Sequence, residues 1–221
     1  VKDERADLVI FDCDGVLVDS EPIAAVVSQR VLADLGWELS IDEIVHRFVG
    51  GSSEEFQRQI EEYLGSPLPA GWNDPYAHWY REAFERELRA IDGIEDALDA
   101  IDIPWCVASN SGRDRVVASL ARTDLLSRFD GRIFSAEEVE RGKPAPDLFL
   151  WAAHRSKVEP ERCVVVEDSA YGVAAARSAG MRVLAYAGGL TDPVRLAGPA
   201  TTVFASMAEL PALLGETRGD R

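Results

Sequence analysis

The 221 residues are 47% hydrophobic and 28% charged, which is ordinary for a globular protein large enough to build a core without disulfides. A formal charge of -16 opposes nucleic acid and anionic membrane surfaces, and no apolar run approaches the roughly 20 residues of a membrane helix. The first residues, Val1-Lys2-Asp3-Glu4-Arg5, have no apolar signal stretch, so the expectation is a cytoplasmic protein with no nucleic-acid or membrane partner.

In chain order, Leu8-Val9-Ile10-Phe11 predicts a strand buried on both faces. From Pro22 to about Leu88 only helical patterns follow. Ile23, Val26, Val27, Val31 and Leu35 form one stripe that Gly36 ends. Ser40 with Glu43, and Ser52 with Glu55, have capping-box spacing, and Pro75 to Leu88 predicts a further helix carrying Tyr76, Trp79, Tyr80 and Phe84. Beyond it, strands and helices alternate. The strands are Trp105-Cys106-Val107-Ala108, Cys163-Val164-Val165-Val166 and Val183-Leu184-Ala185-Tyr186, with weaker ones at Arg132-Ile133-Phe134 and Thr202-Val203-Phe204. The helices run from Arg113 to Thr123, Asp147 to Ser156 and Ala170 to Ala179, the last stopped by Gly180. Ser135 with Glu138 and Ser206 with Glu209 predict two more helix starts, and the tail after Leu214 reads as frayed.

This alternation predicts an α/β fold, a Rossmann-like open parallel sheet built from residues 1–18 and 91–221. An all-helical cap, residues 19–90, is inserted after the first strand. Three cysteines, Cys13, Cys106 and Cys163, without CxxC spacing predict buried reduced thiols, and His46, His78 and His154 have no metal spacing.

Open parallel sheets bind ligands beyond the carboxyl ends of their strands. Four polar clusters fall there: Asp12 and Asp14 in Asp12-Cys13-Asp14-Gly15, then Ser109-Asn110-Ser111, Gly142-Lys143-Pro144 and Glu167-Asp168-Ser169. Each alone permits a plainer role: a hairpin turn at Asp14-Gly15, helix caps at the serines and acids, a solvated lysine. Four such coincidences at one sheet edge are a poor account. Asp12, Glu167 and Asp168 make an all-oxygen set suited to Mg²⁺, and that ion with Lys143 would balance their charge and admit a phosphate dianion. Asp12 would then attack phosphorus, Asp14 would serve as acid and base, and Ser109 with the amides around Asn110 would hold phosphoryl oxygens.

These four motifs, with Phe11-Asp12-Cys13-Asp14-Gly15-Val16-Leu17-Val18-Asp19-Ser20-Glu21 the most specific, resemble the haloacid dehalogenase-type phosphatase superfamily, in the subgroup with a helical cap that includes β-phosphoglucomutase and bacterial sugar-phosphate phosphatases. The resemblance implies a Mg²⁺ site formed by Asp12, the backbone carbonyl of Asp14, Glu167 and Asp168, with Ser109 and Lys143 on the phosphoryl group. It also implies a small phosphorylated metabolite as partner, such as a sugar phosphate or sugar-acid phosphate. The carboxylate at Asp14 excludes dehalogenase chemistry, which has no alkoxide to protonate. Ala24 and Ser53 stand where the sugar mutase has a histidine and an arginine, which favours hydrolysis over phosphomutase; a non-catalytic phosphometabolite binder is the third reading. Glu21 at the mouth, and Gly50 and Gly51 in the cap loop, are the candidates for the non-phosphate end. A monomer or weak homodimer is expected.

Overall fold

The fold is described from a computed structural model and covers residues 6–49, 53–129 and 131–215. Four-residue and five-residue apolar runs become strands because alternate side chains find apolar partners on both faces. In β1 (Leu8–Phe11), Val9 and Phe11 enter one core while Leu8 and Ile10 enter another. The same division holds in β2 (Trp105–Ser109), where Val107 takes the first side and Cys106 and Ala108 the second. With β3 (Ile133–Ser135), β4 (Cys163–Glu167), β5 (Arg182–Tyr186) and β6 (Thr201–Phe204), they form one parallel sheet in the order β3-β2-β1-β4-β5-β6. The order reverses at β1, so the crevice expected of a doubly wound sheet opens at its carboxyl end.

Helices cover both faces. On the first lie α5 (Ile94–Asp99), α6 (Arg113–Arg122) and α10 (Leu210–Leu213). On the second lie α7 (Asp147–Ser156), α8 (Ala170–Ser178) and α9 (Pro193–Leu196). The expected helix bounds at Arg113, Asp147 and Ala170 hold to within a residue, and Gly180, at φ +74°, turns the chain out of α8. All three cysteines are buried and free, as their apolar settings predict.

Between β1 and β2 the described residues form helices: α1 (Glu21–Asp34), α2 (Ile41–Phe48), α3 (Ser53–Leu64) and α4 (Ala77–Glu87). Helix α1 has two buried sides. Ile23, Val27 and Val31 join the sheet core, whereas Ala25 and Leu32 join Ile44 of α2 and Ile60 of α3 in a small second core. Val26, expected in the buried stripe, is instead 58% exposed; one step further round the helix than the sheet-facing row, it meets neither core. Aromatic rings close that small core from outside, with Trp37 stacked on Tyr63 at 4.5 Å and Phe48 edge-on to Phe56 at 4.9 Å. Helix α4 rests on α1, Tyr80 sharing a 3.0 Å hydrogen bond with Ser28 and Trp79 lying 3.7 Å beneath Arg30. The two chain crossings run side by side, joined by Asp19 N–H to Arg89 O at 2.9 Å and Ile91 N–H to Leu17 O at 3.0 Å.

Three of the capping boxes are present, at Ser40, Ser135 and Ser206; that of Ser52 with Glu55 lies outside the described residues, as does the tail beyond Gly215. The Ser135 box starts only a single 3₁₀ turn, whereas the turn that the Ser206 box starts runs directly into α10. The Ser135 turn ends where Val139 becomes extended, and α10, with Pro211 tolerated in its first turn, ends before Gly215 at φ +87°. No helix among the described residues is long and apolar enough to cross a membrane.

Candidate active site

Strand register builds the site. Because β1 and β4 pair with Phe11 opposite Val166, the residues that follow them emerge side by side, and Asp12 N–H binds Val166 O at 2.9 Å. Asp12, Glu167 and Asp168 are buried there, each offering a carboxylate oxygen within 4.8 Å of the others. Lys143 reaches in from the loop before α7 and donates from Nζ to Asp12 Oδ1 at 2.6 Å and Glu167 Oε1 at 2.8 Å. Ser169 fixes the other Glu167 oxygen through its backbone N–H at 2.7 Å and its hydroxyl at 2.9 Å. Asp168 Oδ2 is buried without a hydrogen-bond partner. A carboxylate oxygen desolvated and unpaired is costly unless a proton or a cation meets it. This all-oxygen donor set therefore fits a small, hard divalent cation.

Two glycines make room for the acids. A Cβ on Gly172 would lie 1.7 Å from Glu167 Oε1. Gly15, at φ +78°, turns the chain where a Cβ would lie 2.1 Å from Asp168 Oδ2. The turn at Asp14-Gly15 is real, but no hairpin forms: Val16 to Val18 do not fold back along β1, and Val18 bridges Ala90 instead.

Crowding sets the electrostatics. Burial pushes the Asp12 carboxyl up to about 7 against the pull of Lys143, with Glu167 and Asp14 adding to the rise. Asp168 is pushed well up by burial and by Glu21, Glu167 and Asp12. Burial opposes the charge on Lys143, but its two carboxylates outweigh that and raise it.

Glu21 stands deeper than the mouth position expected of it. It opens α1 beside Asp168, its Oε2 is buried and unpartnered, and burial with the neighbouring carboxylates raises it to about 8. Glu21 is thus a fourth acid at the cluster, and a proton kept on it preserves the charge balance expected of the other three with Lys143 and a divalent cation.

Asp14 is not part of the buried carboxylate trio. Its oxygens accept hydrogen bonds from Ser20 Oγ at 2.7 Å and Ser111 Oγ at 2.8 Å, with Arg115 Nη2 at 3.5 Å. Ser109 is buried at the end of β2 and accepts from Ser111 N–H at 3.0 Å. The Asn110 side chain binds the lysine loop, donating to Lys143 O at 3.0 Å and accepting Lys143 N–H at 2.8 Å, which leaves the backbone amides around it for the expected phosphoryl contact. It holds the lysine loop because a primary amide can pair with the backbone N–H and C=O of a single residue at once. Gly50 and Gly51 lie outside the described residues.

These groups line a cavity of about 830 Å³ between the sheet edge and Ala24, Ser28, Ile44 and Phe48 of α1 and α2. Arg115, Ser20, Ser111 and Gly172 were given no role from sequence. Ser20 and Ser111 stand inside recognised motifs and were open to being noticed; Arg115 and Gly172 carry no signal without coordinates.

The profile of the haloacid dehalogenase-like hydrolases matches residues 9–186. A 6-phosphogluconate phosphatase of Escherichia coli K12 is 33% identical over 215 residues, covering 95% of each chain. A Drosophila melanogaster protein named "Probable pseudouridine-5'-phosphatase" is 37% identical over 215 residues, covering 90% of this chain and 89% of that one. Among solved structures, a conserved haloacid dehalogenase-like protein of unknown function from Agrobacterium tumefaciens C58 superposes with a TM-score of 0.85 at 40% identity, covering 95% of this chain and 98% of that one.

Proposed function

This chain belongs to the haloacid dehalogenase-like hydrolases and is a phosphoric monoester hydrolase, and from that premise we propose that it is a Mg²⁺-dependent phosphatase of a small sugar-like monophosphate, working through an aspartyl-phosphate on Asp12. The observation that carries the reading is the meeting of Asp12, Glu167 and Asp168 around one buried point, with Lys143 alongside and an unpartnered oxygen on Asp168. Both named relatives act, by their names, on phosphate monoesters carrying a polyhydroxylated carbon chain or ribose.

In the proposed reaction, an Asp12 carboxylate oxygen attacks phosphorus and the P–O bond to the leaving alcohol breaks. Asp14 gives its proton to that alkoxide, then takes one from the water that cleaves the acyl phosphate, so phosphate leaves and Asp12 is restored. Lys143 and the Ser109 hydroxyl hold phosphoryl oxygens as charge develops. Asp12, Asp168, Glu167 and the Asp14 carbonyl would hold Mg²⁺, which when bound neutralises charge on the transferring group. Asn110 anchors the Lys143 backbone, and Asp12 and Glu167 hold its ammonium. Helices α1 to α4 act as a cap over the cavity, and water exclusion follows when it closes. Ala24 and Ser53 offer the cavity neither an imidazole nor a cation, which supports hydrolysis over phosphoryl return to a mutase product.

A ³¹P NMR time course with 6-phosphogluconate, ribose 5-phosphate and glucose 1-phosphate tests this. Free phosphate should accumulate, stop with EDTA and resume with Mg²⁺. Isomerised sugar phosphate without free phosphate, or phosphate release indifferent to the metal, would overturn it.

A further inference from the structure

We propose that Arg115 recognises a second anionic group on the substrate, so that the enzyme selects sugar-acid monophosphates over neutral sugar monophosphates; this rests on the phosphatase reading above and specifies its substrate class.

Arg115 lies in the first turn of α6 and lines the cavity. Its guanidinium sits 4.9 Å over the Phe84 ring of α4, which places it at the seam between the sheet edge and the helical segment. Three cations line this cavity among the described residues, and the other two each have a carboxylate partner at a closer distance. Lys143 is held by Asp12 and Glu167 at 2.6 and 2.8 Å. Arg141 is held by Asp147 through Nε at 3.2 Å and Nη2 at 3.0 Å. Arg115 has only its 3.5 Å approach to Asp14 Oδ1, at the outer limit of a hydrogen bond. Asp14 does not depend on it, since Ser20 and Ser111 already donate at 2.7 and 2.8 Å. The side chain is 51% exposed, so the fork can meet an incoming group.

The rest of the wall makes this cation selective. Glu54 and Glu140 also line the cavity, so a further anion is drawn to Arg115 rather than to the acidic part of the wall. A planar guanidinium matches a carboxylate in geometry and in charge, two N–H groups to two oxygens. A second phosphate dianion would exceed that single positive charge beside these glutamates. The geometry therefore favours a carboxylate as the second anion and disfavours bisphosphates.

The test is a matched ligand pair that differs at one end: 6-phosphogluconate, with a carboxylate, and sorbitol 6-phosphate, with a hydroxymethyl group. The parent should show a higher kcat/KM for the acid. In Arg115→Gln the ratio of the two kcat/KM values should fall by about 10- to 100-fold, the span of one charge-assisted contact, chiefly through KM. Arg115→Lys should keep an intermediate ratio. Using the ratio cancels any loss common to both ligands from disturbing Asp14. An unchanged ratio in Arg115→Gln, whether both activities fall or neither does, overturns the proposal. Calorimetric binding of the same pair to Asp12→Asn protein, with and without Arg115→Gln, gives the ratio without turnover. If no ester is hydrolysed yet that binding ratio falls, the phosphatase reading fails and the anion site stands; if the binding ratio is flat, the anion site fails.

Discussion

The two halves of this molecule handle acidic side chains in opposite ways. At the sheet edge, Asp12, Glu167 and Asp168 are buried together, held by Lys143 and Ser169 and spaced by glycines. In the helical segment, apart from Glu21 where α1 meets the crevice, Glu43, Glu55 and Glu61 lie at or near the surface and bind Ser40, Arg58, Gln57 and their own turns. Burial raises Asp12 and Asp168; hydrogen bonds lower Glu43, Glu55 and Glu61. The first arrangement stores unfavourable electrostatics for use and the second merely caps helices. The proposed chemistry therefore lies with the sheet edge, while among the described residues the helices share a small core of four buried side chains, Ala25, Leu32, Ile44 and Ile60.

The sharpest way to break that division is Asp12→Asn. With the proposed nucleophile removed and geometry nearly kept, phosphate release should fall by at least about 10⁴-fold in kcat. Equal turnover would move the chemistry away from the sheet edge. Ile60→Ala probes the other half. It leaves a hole in the small core and should cost about 2–4 kcal/mol in urea unfolding, yet hydrolysis of a small ester such as p-nitrophenyl phosphate should stay within a few-fold. Loss of small-ester turnover in folded Ile60→Ala protein would show that the helices join the chemistry itself.

Gly172→Ala acts at the sheet edge without touching any reacting group. Its methyl must displace Glu167, which would otherwise lie 1.7 Å away. Mg²⁺ affinity measured by calorimetry should weaken by about 10- to 100-fold, the usual range for disturbing a ligand's support. Unchanged affinity would mean that Glu167 does not face the ion.

Much of the sheet edge was readable because parallel strands impose a rule: whatever follows each strand lies at the same end. Asp12, Ser109, Lys143 and Asp168 obey it, and the register of β1 on β4 then places acids from distant segments side by side. Glu21 was readable in type and not in depth. Its carboxyl turns inward because α1 begins at the crevice, and no periodicity encodes that angle. The side-chain role of Asn110 was not readable, because an amide after a strand suits a ligand as well as a neighbouring loop. Val26 misled because a one-sided stripe assumes a single packing partner, while α1 has two. Arg115 was invisible: an exposed arginine in a helix acquires meaning only from the cavity it faces.

The smallest predicted effect is also the one that separates the two sets of acids by pH. Asp12, Glu21 and Asp168 are raised in the folded protein, to about 7, to about 8 and well above the ordinary range. Unfolded, each would titrate near 4. Between those values the folded state binds more protons than the unfolded one, so the stability these groups contribute is full at low pH and is lost as pH rises through their folded values. Without metal, the melting temperature should fall by roughly 5 °C from pH 6 to pH 8, taking about one net proton and the usual entropy of a domain this size. Glu43, Glu55 and Glu61 have the opposite sign: their contribution disappears only as pH drops below the ordinary carboxylate range, so they are silent in this window. Mg²⁺ should restore the melting temperature more at pH 8 than at pH 6, because at the higher pH fewer protons compete for the same oxygens. Differential scanning calorimetry in EDTA and in Mg²⁺ at the two pH values reads all four numbers. A metal-free melting temperature that rises with pH would mean that the sheet-edge acids are paired as favourably as those on the helices, and the contrast between the halves would be lost.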